Sequence, residues 1–480
     1  MKSDVEHKLK EFSERTTCHG IAQIFSRKNR VHRYIWILLV IAVVATLSSQ
    51  LVTRVMQYAM FKTTTVISEK HVSNLQFPSV TVCNFNSLFS VTEDYEYQAA
   101  TLLLKAKIGY IPITTSGDGF DGDDYNDNDY NDNDYNSNYY NGEDYYTDGF
   151  KFFGNYNNSV LDYMNIKGWQ LDDKTLKWCT YGPRNCTIAN FTSRLTNMGK
   201  CWTFQTSIPT WKPGSRSGLS IGLDIQEDQY FLSYEKSSHV IGIRVQVHPQ
   251  YEEPQVEELG LAVSGGKRAF ISAHQSEINL MKKPWGECRP ESENLNYFDT
   301  YSVSNCFNEC WRKRTGSCGC GMYDVGMDKK IVCDPQETTE CIAKAAILQR
   351  KLTVEKCNCQ PACKTTDYMT TISYADLQTS DWVDLTNEEG FTEYILKNIV
   401  GVNVFFDRMS ITKQDESEAT TFTAFLSDLG GQLGFWMGIS VLTVFEFLQL
   451  LLEICKKAMN HTKASSSMSK TKVIKLKETD

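Results

Sequence analysis

The residues most able to do chemistry in this chain lie between Ser427 and Glu446. The segment Ser427-Asp428-Leu429-Gly430-Gly431-Gln432-Leu433-Gly434-Phe435-Trp436-Met437-Gly438-Ile439-Ser440 scatters small residues and one carboxylate through an otherwise apolar run, and Glu446 follows. Each glycine costs a helix about 1 kcal/mol relative to alanine. Membrane helices retain glycine for close helix approach or for baring backbone carbonyls. Carbonyl and carboxylate oxygens can stand in for the water around a small cation, so the chemistry on offer is passage of an ion. A competing reading is helix dimerisation through Gly430, Gly434 and Gly438 at four-residue spacing. Asp428 and Glu446 weigh against it, because ionisable residues at membrane depth usually face a water-filled path.

Two apolar runs must position these groups. Tyr34 to Leu51 has no charged residue, and can extend past Arg54 if that side chain snorkels. Leu429 to Leu452 contains only Glu446 as an ionisable residue. We place the spans at 34–54 and 422–454. A cleaved signal peptide is disfavoured for the first, because a largely polar segment of 33 residues precedes it and no small-residue cleavage pattern follows. Arg27, Lys28, Arg30 and Arg33 precede the first run, and Lys456, Lys457 and Lys463 follow the second. By the positive-inside rule, segments 1–33 and 455–480 are cytoplasmic and 55–421 is outside. One two-pass chain cannot enclose a pore. Several copies around an axis would supply rings of Asp428, of Gly438–Ser440 carbonyls and of Glu446.

The proposed exterior carries the marks of an oxidising compartment. Fourteen of the 16 cysteines fall between Cys83 and Cys363. Zinc binding at Cys318-Gly-Cys320 and Cys357-Asn-Cys359 is the rival, but that spacing is tight for a zinc pair and no metal site is assigned. Asn157, Asn185 and Asn190 begin sequons on the same side. Residues 117–149 are rich in Asn, Asp, Gly and Tyr, with Tyr125–Asp129 repeated at once, so composition predicts an acidic disordered insertion. Its Asp-x-Asp spacing lacks the glycine and closing glutamate of a calcium loop. Alternating runs at Phe77–Asn84, LSIGLDI, SHVIGIRVQVHP, LGLAVSGGKRAFISAH and GVNVFF predict strands, and Asp299 to Arg314 has helical spacing. The net charge of −9 gives no reason to invoke nucleic acid. No nucleophile–base pair or phosphate loop stands out, so an enzyme is not expected, and His239 and His248 read as strand residues.

His19-Gly20, the FPSVTVCN segment at Phe77–Asn84, the ordered extracellular cysteines and Gly438-Ile439-Ser440 together resemble the degenerin, epithelial sodium channel and acid-sensing ion channel superfamily, over about Thr17 to Cys455. The resemblance implies an α+β membrane protein with two transmembrane helices and a large disulfide-rich mixed α/β ectodomain, assembled as a homo- or heterotrimer in the plasma membrane. It implies a voltage-independent, amiloride-sensitive sodium channel with no cofactor, sodium permeant and calcium a blocker or modulator. It makes Gly438, Ile439 and Ser440 the selectivity filter, and Ser427, Asp428, Gly431, Gly434 and Glu446 pore or gate residues. His19 and Gly20 become a gating motif, and Phe61 and Trp285 a coupling contact, although Trp285 reads equally as a packed core residue. The implied disulfides are Cys83–Cys201, Cys179–Cys186, Cys288–Cys363, Cys306–Cys359, Cys310–Cys357, Cys318–Cys341 and Cys320–Cys333, the last five in a cysteine-rich thumb at 288–363.

Acid-sensing relatives carry carboxylates where Ala343, Ile347 and Thr412 stand here, and a histidine where Thr63 stands. Glu69 and Glu252 are retained as palm and finger acids. These departures favour an extracellular peptide of the neuropeptide type over protons as the opener. Glu252, Glu253, Glu257 and Glu258 read together as a solvated face. A constitutively open, calcium-blocked channel and a non-conducting two-pass receptor are the alternatives.

Overall fold

The computed structural model describes residues 12, 16, 20, 23–24, 30–91, 100, 160–231, 240–250, 252–292, 295–298, 300–315, 318–321, 332–333, 341, 357–378 and 391–456. The insertion at 117–149, His19, Asn157, Ala343 and Ile347 lie outside them. The chain divides into two compact units, Met1–Thr64 with Glu416–Asp480, and Thr65–Asp415.

In the first unit, helix α1 (Arg30–Ala59) is long and apolar enough to cross a membrane. Within the chain only Leu47 on it is buried, while Leu38, Leu39, Ile41, Val44 and Val52 are exposed. An apolar helix left bare on most sides suits a lipid environment. Two of its hydroxyls bond back to the helix: Thr46 Oγ1 donates to the Ala42 carbonyl at 2.8 Å and Thr53 Oγ1 to the Ser49 carbonyl at 2.9 Å. The helix extends past the predicted span 34–54 at both ends, to Arg30 and Ala59.

The second unit holds most of two β-sheets. Strands β1 (Thr63–His71), β2 (Ser79–Asn84), β3 (Leu176–Tyr181), β4 (Arg184–Asn185), β5 (Phe191–Thr196), β6 (Gly199–Phe204), β7 (Leu219–Asp224), β8 (Ile243–His248), β9 (Leu261–Val263), β10 (Lys267–Asn279), β11 (Lys364–Asp376) and β12 (Ile399–Glu418) build it. One sheet has the order β11-β10-β12-β7-β3-β4, with β1 also paired to β12; the other has the order β5-β6-β2-β8-β9. Helices α2 (Val160–Lys167), α3 (Val256–Leu259), α4 (Val303–Thr315) and α5 (Phe391–Asn398) complete the unit.

β2 is buried at all six positions, as is β7. Both sit between neighbours in their sheets with their two faces covered, so the polar members of each alternation are buried along with the apolar ones. The polar side chains drawn inside find partners: Thr81 Oγ1 bonds Thr203 Oγ1 and His248 Nε2, each at 2.8 Å. Burial drives the His248 pKa down to about 4, so this imidazole stays neutral, in keeping with a structural strand residue. Phe77, just before β2, meets Tyr181, Phe204 and Phe406 edge-on at 5.0, 6.3 and 6.0 Å, which joins the cores of both sheets through one ring.

Seven disulfides staple this unit. Cys83–Cys201 links directly paired residues of β2 and β6, and Cys179–Cys186 joins β3 to the residue just after β4. The other five, Cys288–Cys363, Cys306–Cys359, Cys310–Cys357, Cys318–Cys341 and Cys320–Cys333, crowd around α4 and the chain beyond it.

Candidate ion pathway

The second apolar run is two helices. Helix α6 (Phe422–Met437) and helix α7 (Val441–Lys456) meet at a 75° bend, and together they are long and apolar enough for one broken span. Local chemistry accounts for the break. Gly438 adopts φ 65° and ψ 20°, the left-handed region that glycine enters without strain. Its N–H donates to the Gly434 carbonyl at 2.9 Å, the bond of an αL helix stop, and the Ile439 N–H donates to the Leu433 carbonyl at 3.2 Å. Ser440 then opens α7. Its N–H donates to Thr443 Oγ1 at 3.2 Å, and the Thr443 N–H donates to Ser440 Oγ at 3.3 Å. In an unbroken helix that Thr443 N–H would occupy the Ile439 carbonyl, so the serine cap relieves that carbonyl of its ordinary partner.

Around the helical turn of α6, Ser427, Gly431 and Gly434 fall on one exposed face. A Cβ built on Gly430 or Gly431 meets nothing within 4 Å in this chain. These glycines are therefore not demanded by packing within the subunit. A neighbouring stripe carries Phe425, Asp428, Gln432 and Trp436 against α1. Phe425 stacks on Tyr58 at 4.5 Å, and Asp428 Oδ2 lies 3.8 Å from Arg54 Nη1. Trp436 Nε1 donates to Gln50 at 2.8 Å, and Met437 packs with Leu47.

Glu446 lies on α7, where its carboxylate accepts from Thr16 Oγ1 at 3.3 Å, and at the next residue Phe447 meets Phe12 at 5.1 Å between ring centres. Thr16 and Phe12, from the segment before α1, thus touch α7. Gly20 has φ 87°, and a Cβ there would come within 2.8 Å of Val40 Cγ2, so both conformation and space call for glycine.

In the other unit the two retained acids have different surroundings. Glu69 on β1 accepts from Ser410 Oγ at 2.6 Å and pairs with Arg408 at 3.6 Å, which hold its pKa below the usual carboxylate range. Arg408 Nε also donates to Asp407, whose other oxygen lies 3.3 Å from His274 Nδ1, and His274 Nε2 meets Thr412 Oγ1 at 2.7 Å. This chain of contacts exists because β12 bulges: Ala273 pairs with Phe406 but Gln275 with Ile411, so residues 407–410 oppose His274 alone.

Glu252 departs from its neighbours. Glu253 pairs with Arg194 at 2.9 Å and Glu257 accepts from Asn197, as solvated-face residues do. Burial, reinforced by Asp367 and Glu291, pushes the Glu252 carboxyl up to about 7. Folded protein therefore keeps a proton that the unfolded chain releases near the ordinary value of 4.5. Stability tied to this group is whole below that value and is lost as pH rises through about 7. In thermal melts of the purified full-length chain, wild type should lose more stability than Glu252→Gln between pH 5 and 8. Identical slopes for the two proteins would refute this assignment.

A sequence model of the amiloride-sensitive sodium channel family matches residues 12–450. The chain belongs to that family. It is 29% identical to zebrafish acid-sensing ion channel 1C over 463 residues, covering 93% of this chain and 84% of that protein. Human acid-sensing ion channel 2 and chicken acid-sensing ion channel 1 are each 28% identical, over 93% of this chain and 86% and 84% of theirs. A solved structure of a proton-activated chloride channel matches with a TM-score of 0.32 at 7% identity, covering 87% of this chain and 97% of that one, and carries no argument.

Membership in the amiloride-sensitive sodium channel family makes this chain an ion channel protein of the sodium-transporting kind rather than an enzyme. The seven disulfides join the cysteines that the family resemblance pairs. Asn185 and Asn190 are exposed, as a glycan acceptor must be. Phe61 has φ 48° directly after α1, with its ring 6.2 Å from Tyr58, and belongs to the helix unit. Trp285 is half-buried in a turn of the other unit. Sequence reasoning missed His274 and read Arg54 only as a snorkelling residue. The first is brought to Asp407 by a bulge that no periodicity announces; the second could have been found as the lone charge between Arg33 and Lys62.

Proposed function

We propose that this chain is one subunit of a trimeric, voltage-independent, amiloride-sensitive, sodium-selective cation channel of the plasma membrane, opened by an extracellular ligand. The observation that carries this reading is the break at Gly438-Ile439-Ser440, where two half-helices meet and the serine cap relieves a carbonyl of its ordinary helix partner. In this reading 1–33 and 455–480 are cytoplasmic, 34–54 and 422–454 lie in the membrane, and 55–421 faces outward. Three copies of α6 place Ser427, Gly431 and Gly434 along the pathway, His19 and Gly20 lie below the filter, and Phe61 with Trp285 couples the ectodomain to the helices. Expressed alone, or with a related subunit if it is an obligate heteromer, the chain should carry an inward sodium current that amiloride blocks. Surface-exposed protein without any such current, alone or with related subunits and ligands, would reject the channel reading in favour of a non-conducting receptor.

A neuropeptide-type ligand is favoured by the departures at Thr63, Ala343, Ile347 and Thr412. A step from pH 7.4 to 5 should then evoke little current, while amidated peptides open the channel. Proton gating is the second reading, favoured by the Glu252 carboxyl poised at about 7 and by relatives whose names call them acid-sensing. A large rapid inward current on acidification would select it.

A further inference from the structure

Arg54 is the only charged residue between Arg33 and Lys62, and Asp428 the only one within α6. Each is the lone charge of the outer half of an apolar helix, where an unpaired charge is expensive and partners are sought. They lie on the shared contact stripe, 3.8 Å apart, between the Tyr58–Phe425 stack on one side and the Gln50–Trp436 hydrogen bond on the other. Arg54 Nη1 also donates to Gln57 Oε1 at 3.3 Å, which steadies the guanidinium over the same turn. Asp428 therefore points along the first helix, while Ser427 and Gly431 occupy the adjoining face.

We propose that Arg54 is a positioning residue for conduction: it holds the Asp428 carboxylate against α1, so that the outer mouth presents a neutralised ion pair instead of a ring of free carboxylates. This rests on the pore reading above. The ligand class at stake is the divalent cation, which binds free carboxylate oxygens and would lodge at the mouth if they were released. Selectivity for a monovalent ion through a site that carries a carboxylate is then a matter of keeping that carboxylate occupied.

The test is a four-variant cycle in cells expressing the full chain, with extracellular calcium as the probe and sodium current as the readout. Arg54→Gln should strengthen calcium block about tenfold, the shift that corresponds to about 1.4 kcal/mol. In an Asp428→Asn background the same change should have no effect on block. Equal effects of Arg54→Gln in both backgrounds, or none in either, would overturn the proposal. If Arg54→Gln reaches the surface but carries no current, the charge exchange Arg54→Asp with Asp428→Arg decides: recovered current supports the pairing and continued silence defeats it. Thermal melts of the four purified variants read the pairing independently of conduction. If wild type conducts nothing, coupling in the melts still supports the ion pair while the pore reading fails; additive melts defeat the pair.

Discussion

Replacing Ser440 by alanine should lower the sodium-to-potassium permeability ratio, by roughly fivefold if the change removes about 1 kcal/mol of discrimination, the worth of a typical cap. The serine hydroxyl does two jobs in this geometry. It accepts the Thr443 N–H that would otherwise return to the Ile439 carbonyl, and it starts α7 after the Gly438 stop. Alanine cannot accept that bond, so the half-helix can rewind by one step and reclaim the carbonyl. Threonine keeps the oxygen and should restore most of the ratio. Bi-ionic reversal potentials measure the effect directly. A ratio unchanged in Ser440→Ala would remove this residue from the proposed filter.

Phe77→Ala should prevent the chain from reaching the cell surface. The ring is almost wholly buried and touches aromatic residues from both sheets. Truncating a buried phenylalanine costs about 3–5 kcal/mol, comparable to the whole stability of many domains. Phe77→Leu keeps most of the volume and should cost less, with surface expression partly retained. Surface biotinylation with a glycan-processing assay separates the three proteins. Wild-type surface levels for Phe77→Ala would show that the two sheets do not depend on this ring.

Much of this was legible in the residues. Alternation marked β2, β7 and β8, and apolar length with basic flanks marked α1. Glycines marked where the second run gives way, although spacing alone left dimerisation open; the left-handed Gly438 and the Ser440 cap show why the helix stops there. The cysteine pairing came from the family resemblance, since spacing alone permits many connectivities. Other features escaped because they depend on contacts between distant segments. Glu252 belongs by sequence to an acidic run, yet burial beside Asp367 separates it from Glu253 and Glu257. Asp407 and His274 are 133 residues apart and meet only through a register shift. The direction of Asp428 depends on which face of α6 lies against α1, and a helical stripe with an aromatic, a carboxylate and a glutamine does not reveal its partner.

The pairing of β1 with β12 sets an order of events during synthesis. β1 leaves α1, and β12 runs into α6; Val72 donates to the Met409 carbonyl at 3.0 Å and Ala419 to Lys62 at 2.9 Å. Such distant strands meet late, because contacts far apart in sequence form slowly. A ribosome that has made 400 residues has yet to deliver most of β12. The central sheet therefore closes only once β12 has left the ribosome, and a chain terminated ahead of residue 399 leaves β10 and β7 with a missing neighbour and an exposed edge for chaperones to hold.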